Sequence, residues 1–340
     1  MTKAKVLVTG ASGFIGLHCI DQLLKAGYPV RGTLRTMSRQ GEIRKALGEP
    51  GDQLEFAETD LMKDEGWAEA VAGCDYVLHV ASPFPPDEPK HEDELIIPAR
   101  DGALRLLRAA KAGGVKRVVL TSSMAAISYD PKKPNAHVYT EKDWTDPNDK
   151  AIAAYVKSKT VAELAAWDFV KTEGGPELAV INPGAVLGPL LGPDYSTSGD
   201  MVKLLMDRAM PACPRIGFGM VDVRDVAAAH VAAMTVPEAA GERFLCCLDH
   251  IWLQDVAKIL DKKYGPEGWK IPTGALPSFV VRFGALFDAT LKRTKPMLDR
   301  EMHVDNSHIR KTLNWQPHSN EEMVIAMADS MIELGVVSKS

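Results

Sequence analysis

Lys5–Ala26 reads KVLVTGASGFIGLHCIDQLLKA, and the order of residue types within it decides the fold. Lys5–Thr9 is an apolar run of strand length, and Phe14–Ala26 repeats its apolar residues at helical spacing. Gly10, Gly13 and Gly16 lie between the end of that strand and the first turns of that helix. In this arrangement Gly10 permits a tight turn and Gly13 lets backbone approach a pyrophosphate. Gly16 lets helix and strand pack closely, while the helix N-terminus faces the phosphate charge. A glycine triplet alone marks only a loop. The strand before it and the helix after it make it a dinucleotide-binding βαβ unit.

Outward from this unit the same rhythm continues. Val30–Leu34, Leu54–Ala57, Tyr76–Val80, Arg117–Thr121 and Leu178–Ile181 read as buried strands, continuously apolar rather than alternating. Amphipathic segments at Ser38–Leu47, Gly66–Ala72, His91–Ala112 and Ala151–Lys171 separate them. The expected fold class is therefore α/β, a Rossmann-type doubly wound parallel sheet. After Asn182 the rhythm breaks in NPGAVLGPLLGPDYSTSGD, whose Gly and Pro density suits a loop at a domain junction. A short helix is expected at Met201–Met210, whose methionines either line a pocket or pack a helix. A Pro-rich turn follows it, then a helix at Asp225–Met234 and a strand at Arg243–Cys247, with Cys246 and Cys247 on opposite faces. From Leu253 onward the pattern is helical with long loops. Residues 1–183 and about 221–250 are expected to form a dinucleotide-binding domain, and about 184–220 and 251–340 a smaller, mostly helical substrate lobe.

The composition excludes several classes. Of 340 residues, 46% are hydrophobic and 25% charged, as in a soluble globular protein. A net charge of −5 offers no electrostatic attraction for nucleic acid or an anionic membrane. No apolar stretch reaches membrane-spanning length, and the amino terminus has no signal-peptide pattern. The five cysteines form no CxxC pair and read as small core residues in a reducing compartment, so a cytoplasmic protein is expected. The nine histidines suggest no metal-like cluster, and no metal is assigned. The expected partner is a small molecule, with the chain a monomer or homodimer.

The end of the second strand selects the dinucleotide. An NAD-binding unit places an acid about twenty residues after the glycines, on the ribose 2′-hydroxyl. RGTLRTMSRQGEIRK instead carries Arg35 there, with Arg39 in the same loop and no acid before Glu42. A guanidinium matches a phosphate fork, which favours NADP(H). YVKSK places Tyr155 and Lys159 on one face of a helix, where an ammonium would lower the phenol's pKa toward working pH. Tyr129 and Lys133 repeat the spacing, but Pro131 and Pro134 exclude a regular helix there, so the pair is set aside. Ser122 and Ser123 follow the fifth strand, at the sheet edge where open α/β proteins bind ligands.

Together these motifs resemble the extended short-chain dehydrogenases/reductases: TGASGFIG is similar to TGxxGxxG, YVKSK to YxxxK and TSS to the catalytic-serine segment. Asp60–Leu61, HVASPF (His79–Phe84), INPGAVLGP (Ile181–Pro189), VDVRDVAAAH (Val221–His230) and DNSHIRKTLNWQP (Asp305–Pro317) follow in family order. The chain most resembles the branch of dihydroflavonol reductases, cinnamoyl-CoA reductases and yeast-type aldehyde reductases. The resemblance implies Ser123, Tyr155 and Lys159 as catalytic residues. It implies a cofactor site of Gly10, Ser12, Gly13, Phe14, Ile15, Gly16, Arg35, Asp60, Leu61, Val80, Ala81, Ser82, Pro183 and Val186, with Tyr155 and Lys159 shared. It implies NADPH-dependent reduction of a carbonyl, Tyr155 supplying the proton. The proline- and charge-rich segment between Ala125 and Asp149 departs from plant members, so flavonoid specificity does not transfer. A sugar-nucleotide epimerase or dehydratase on the same fold is the alternative, against which Arg35 and Met124–Ala126 stand; a non-catalytic NADP-binding regulator is a third, though Tyr155 and Lys159 are both retained. Ser82–Phe84, Met124–Ile127, Ala185–Leu191 and Leu204–Met206 are expected to line an uncharged substrate pocket, suited to apolar or aromatic aldehydes and ketones.

Overall fold

The computed structural model describes residues 3–83, 91–130, 132–192, 195, 197–287, 291 and 294–339. In chain order the strands are β1 (Val6–Thr9), β2 (Val30–Leu34), β3 (Leu54–Glu58), β4 (Tyr76–His79), β5 (Arg117–Thr121), β6 (Val138–Tyr139), β7 (Glu177–Pro183), β8 (Ala185–Leu187), β9 (Cys213–Pro214), β10 (Gly217–Asp222), β11 (Arg243–Cys246), β12 (His250–Trp252), β13 (Ala275–Leu276) and β14 (His303–Val304). The helices are α1 (Phe14–Lys25), α2 (Gln40–Ala46), α3 (Trp67–Val71), α4 (Asp93–Ala112), α5 (Ala125–Ser128), α6 (Ala154–Thr172), α7 (Gly199–Met206), α8 (Val223–Thr235), α9 (Leu253–Tyr264) and α10 (Ser278–Gly284). Two further helices, Ser307–Leu313 and Asn320–Glu333, close the chain.

Seven strands form one parallel sheet in the order β11-β7-β5-β4-β1-β2-β3. Successive strand residues alternate between its two buried faces. Leu7, Val77, Val118 and Val180 meet Trp67 of α3, Leu106 of α4 and Phe169 of α6. Val6, Val8, Leu78 and Val119 belong to the core that includes Leu17 and Ile20 of α1 and Val226 and Ala229 of α8. Burial on both faces is why these strands read as continuous apolar runs. The order reverses between β1 and β4, which opens a crevice at the carboxyl ends of the strands. The doubly wound fold read from the sequence is what the chain adopts.

Elsewhere the structure departs from the sequence reading. Residues read as a loop and a turn instead make β8 and β10, which with β12 form a separate three-stranded sheet. Gly184 permits this: a Cβ there would come within 2.3 Å of the Gly219 carbonyl oxygen. The stretch after Leu253 also contains the two-residue strands β13 and β14. The helix expected at Met201–Met210 begins earlier and ends at Met206. Arg208 just beyond it adopts a left-handed φ of 54°, which a helix cannot continue. All five cysteines are free and buried, and β11 ends at Cys246 with Cys247 buried beyond it.

Candidate active site

The crevice is built first from backbone. Gly10 turns at φ 70°, and a Cβ on it would lie 3.1 Å from Ala81 Cα. At Gly16 a Cβ would lie 2.2 Å from the Gly10 carbonyl oxygen, so only glycine lets α1 seat against this turn. The Gly13 N–H donates to Gly10 O at 2.9 Å. Two threonines that no spacing rule singles out fasten the loop. Thr33 Oγ1 accepts from Gly10 N at 3.3 Å, and Thr9 Oγ1 accepts from Ala81 N at 3.0 Å while hydrogen-bonding His79 Nδ1 at 2.8 Å. Burial holds His79 down to about 3, so its ring is neutral beneath the loop.

A cleft of about 1030 Å³ runs from this turn to the start of α6. It is lined by Gly10, Ser12, Gly13, Phe14, Ile15, Arg35, Asp60, Leu61, Val80, Ala81, Ser82, Ser123, Tyr155, Lys159, Pro183 and Val186. Gly16 acts from behind the lining, through the packing of α1. The cleft thus brings together every other residue the sequence placed there, and adds Thr36, Met62, Trp67, Tyr195, Thr197 and Ser198 among others. Arg35 stands exposed where β2 ends, while Arg39 in the same loop pairs with Glu42 at 2.8 Å. Asp60 is fixed by accepting from Met62 N at 2.9 Å.

Ser123 follows β5, and Tyr155 and Lys159 lie one turn apart near the start of α6. The Ser123 hydroxyl hydrogen-bonds the Tyr155 phenol. Lys159 Nζ lies 5.6 Å from the Tyr155 ring centroid and donates to Ser82 Oγ at 2.7 Å. Burial lowers Lys159 to about 8. Instead of being lowered by Lys159, the Tyr155 phenol is raised: burial dominates, the Ser123 hydrogen bond opposes it, and Tyr129 adds to the rise. The phenol is therefore protonated at neutral pH.

A buried carboxylate that the sequence reading missed locks these elements together. Glu163, on α6 and 0% exposed, accepts from Ser122 Oγ at 2.5 Å, Asn182 Nδ2 at 2.8 Å and Arg243 Nε at 2.5 Å. Asn182 Nδ2 also reaches the Ser123 carbonyl at 3.1 Å. Arg243 stacks 3.5 Å from the Trp144 ring and donates to the Glu141 and Asp143 carbonyls. One charge pair thus joins α6, the ends of β5 and β7, β11 and the segment around Trp144. A charge inside a helical segment carries no signal in spacing alone, since most such charges are solvated.

A smaller chamber of about 280 Å³ opens beside Ser123 and Tyr155. Met124, Ala125 and Ala185 line it as expected, together with Met201, Tyr129, Phe218, Met297 and Met302. The expected Leu204–Met206 wall is elsewhere: Leu205 and Met206 are in the core and Leu204 is exposed, because α7 turns Met201 toward the chamber. Ile127 and Leu187 are likewise core residues. Phe84 lies outside the described residues, as does Pro131. From Asp130 to His137 the described residues form no helix, which fits the sequence argument. Lys133 Nζ lies 3.5 Å from Asp143, whereas Tyr129 faces the chamber. Folding also brings His318 to Asp222 and Asp225, a group no spacing suggested. Arg224 donates to both Asp222 oxygens, and His318 donates its backbone N–H to Asp225 Oδ2 and meets Oδ1 through Nδ1.

The profile of the NAD dependent epimerase/dehydratase family matches residues 6–247. The chain belongs to that family. Cinnamoyl-CoA reductase CAD2 of Medicago truncatula is 37% identical over 76% of this chain and 80% of that protein. A putative oxidoreductase of Schizosaccharomyces pombe is 37% identical over 98% of both chains. Among solved structures, the yeast methylglyoxal/isovaleraldehyde reductase Gre2 complexed with NADPH superposes with a TM-score of 0.81. That match has 29% identity and covers 98% of this chain and 99% of Gre2. The family resemblance read from motif order is borne out, and so is the reductase branch. Among the described residues no helix is long and apolar enough to cross a membrane.

Proposed function

We propose that the chain is an NADPH-dependent carbonyl reductase acting on apolar or aromatic aldehydes and ketones. One observation carries this reading: Ser123 and Tyr155 line both the long cleft and the apolar chamber, so a single phenol faces both compartments. The cleft fits a dinucleotide, because Cβ atoms at Gly10 and Gly16 would obstruct its loop and α1 points its N-terminus there. Arg35 suits a 2′-phosphate, as does the likeness to a reductase complexed with NADPH. When bound, the nicotinamide supplies the hydride. Lys159 and Ser82 would hold the ribose beside it.

The chain's own groups then handle the oxygen. Ser123 donates a hydrogen bond to the substrate carbonyl, and Tyr155, kept protonated by burial, delivers the proton as negative charge develops. Residues 1–183 with about 221–250 form the dinucleotide unit in this reading. Met201, Phe218, Met297 and Met302, from the two remaining stretches, wall the substrate chamber. Buried free thiols suit the cytoplasm. The test is consumption of NADPH with a panel of benzaldehydes and alkyl phenyl ketones, alongside calorimetry with UDP-sugars. Turnover of the carbonyl panel is expected. Tight nucleotide-sugar binding without turnover of the panel contradicts the reading.

A further inference from the structure

The apolar chamber holds a second phenol besides Tyr155. Tyr129 follows directly on α5, and its place is set by backbone. Its N–H donates to Thr145 Oγ1 at 3.1 Å, and that hydroxyl donates to Ala125 O at 2.7 Å. Thr145 N donates to Ala126 O at 3.0 Å, so two segments clamp the residue. Arg300 lies within electrostatic reach of the phenol and is itself held by the Asp130 and Lys133 carbonyls. Among the described residues, none accepts a hydrogen bond from the Tyr129 hydroxyl or donates one to it.

Methionines 124, 201, 297 and 302 and Phe218 make up much of the remaining wall, and none of their side chains competes strongly for that hydroxyl. Burial raises the Tyr129 phenol, so it is a donor at neutral pH. A hydroxyl in an apolar chamber loses water when a substrate enters. It then favours a substrate that supplies an acceptor and discriminates against one that does not.

We infer that Tyr129 is a specificity-determining donor that receives a second oxygen of the substrate, distinct from the carbonyl reduced at Ser123 and Tyr155. The chamber then selects apolar or aromatic carbonyl compounds that carry a further hydrogen-bond acceptor. This rests on the carbonyl-reductase reading above.

The test compares two ketones of similar shape, 1-phenyl-1,2-propanedione and butyrophenone, in the NADPH-loaded wild type and in Tyr129→Phe. The readout is the ratio of their kcat/KM values, because any packing effect of the substitution falls on both ketones. The ratio is expected to drop by about tenfold or more in the variant. A ratio unchanged within about twofold overturns the inference. If Tyr129→Phe does not fold, the wild type answers alone through inhibition by the two related alcohols, 1-phenyl-1,2-propanediol and 1-phenyl-1-butanol. Stronger inhibition by the diol supports the second-oxygen contact, and equal or weaker inhibition overturns it. Failure of the wild type to reduce either ketone, with the diol still bound more tightly, contradicts the carbonyl-reductase reading and leaves the Tyr129 contact standing.

Discussion

The two compartments that meet at Tyr155 are built by different means. The dinucleotide end of the cleft is made largely of backbone from one contiguous motif, and its shape depends on side chains being absent at Gly10 and Gly16. The substrate chamber is made of side chains gathered from separated segments, among them Met124, Tyr129, Met201, Phe218, Met297 and Met302. Steric exclusion at a backbone turn leaves little room for variation, whereas methionine walls adapt their shape at small cost. A change at the first end should act on binding as a whole. A change at the second should redistribute preference among substrates.

Behind Ser123, which both compartments share, the buried Glu163–Arg243 pair ties Ser122 and Asn182 together, and breaking it should have the largest effect on stability. Removing one member strands a buried charge, so Glu163→Leu should destabilise the fold by about 3–5 kcal/mol. Glu163→Leu combined with Arg243→Leu should recover part of that loss, because no charge is left unpaired. Chemical denaturation of the four proteins reads the cycle. A double variant at least as unstable as the sum of the singles would contradict the pairing.

This pair also marks where the sequence stopped being informative. The strands of the main sheet were legible because burial on both faces makes them uniformly apolar, as in Val6–Thr9 and Arg117–Thr121. The cofactor end was legible because its geometry demands glycine at fixed spacing. Glu163 gave no signal, since nothing local shows that Ser122, Asn182 and Arg243 converge on it. β10 was missed because Gly217 and Gly219 interrupt it and its partners β8 and β12 are remote in sequence. Tyr129 was set aside for lacking a helical partner, a sound reason to deny it the role of Tyr155 but no guide to the chamber it faces.

At the dinucleotide end, Arg35→Glu should shift the ratio of kcat/KM for NADPH over NADH toward NADH. A tenfold change is expected, equivalent to about 1.4 kcal/mol and modest because the side chain is exposed. An unchanged ratio would remove Arg35 from cofactor selection. The smallest effect belongs to the chamber wall. Met302→Leu conserves volume, and Ser128 keeps its bond to Met124 O when the 3.1 Å contact to Met302 Sδ is lost. Stability should fall by less than about 1.5 kcal/mol. KM should change several-fold for ketones, with the Kd for NADPH unchanged. A weakened NADPH affinity would show that the two compartments are not separable in this way.

Tyr155 belongs to both compartments, and its phenol tests the account most directly. Tyr155→Phe removes the proton and little volume, so the protein should fold and still bind NADPH. Single-turnover oxidation of bound NADPH by an aromatic aldehyde should slow by a factor on the order of 10²–10⁴, the usual worth of positioned acid catalysis. Near-native turnover in this variant, with NADPH binding intact, would show that the proton comes from elsewhere and that the site does not work as described.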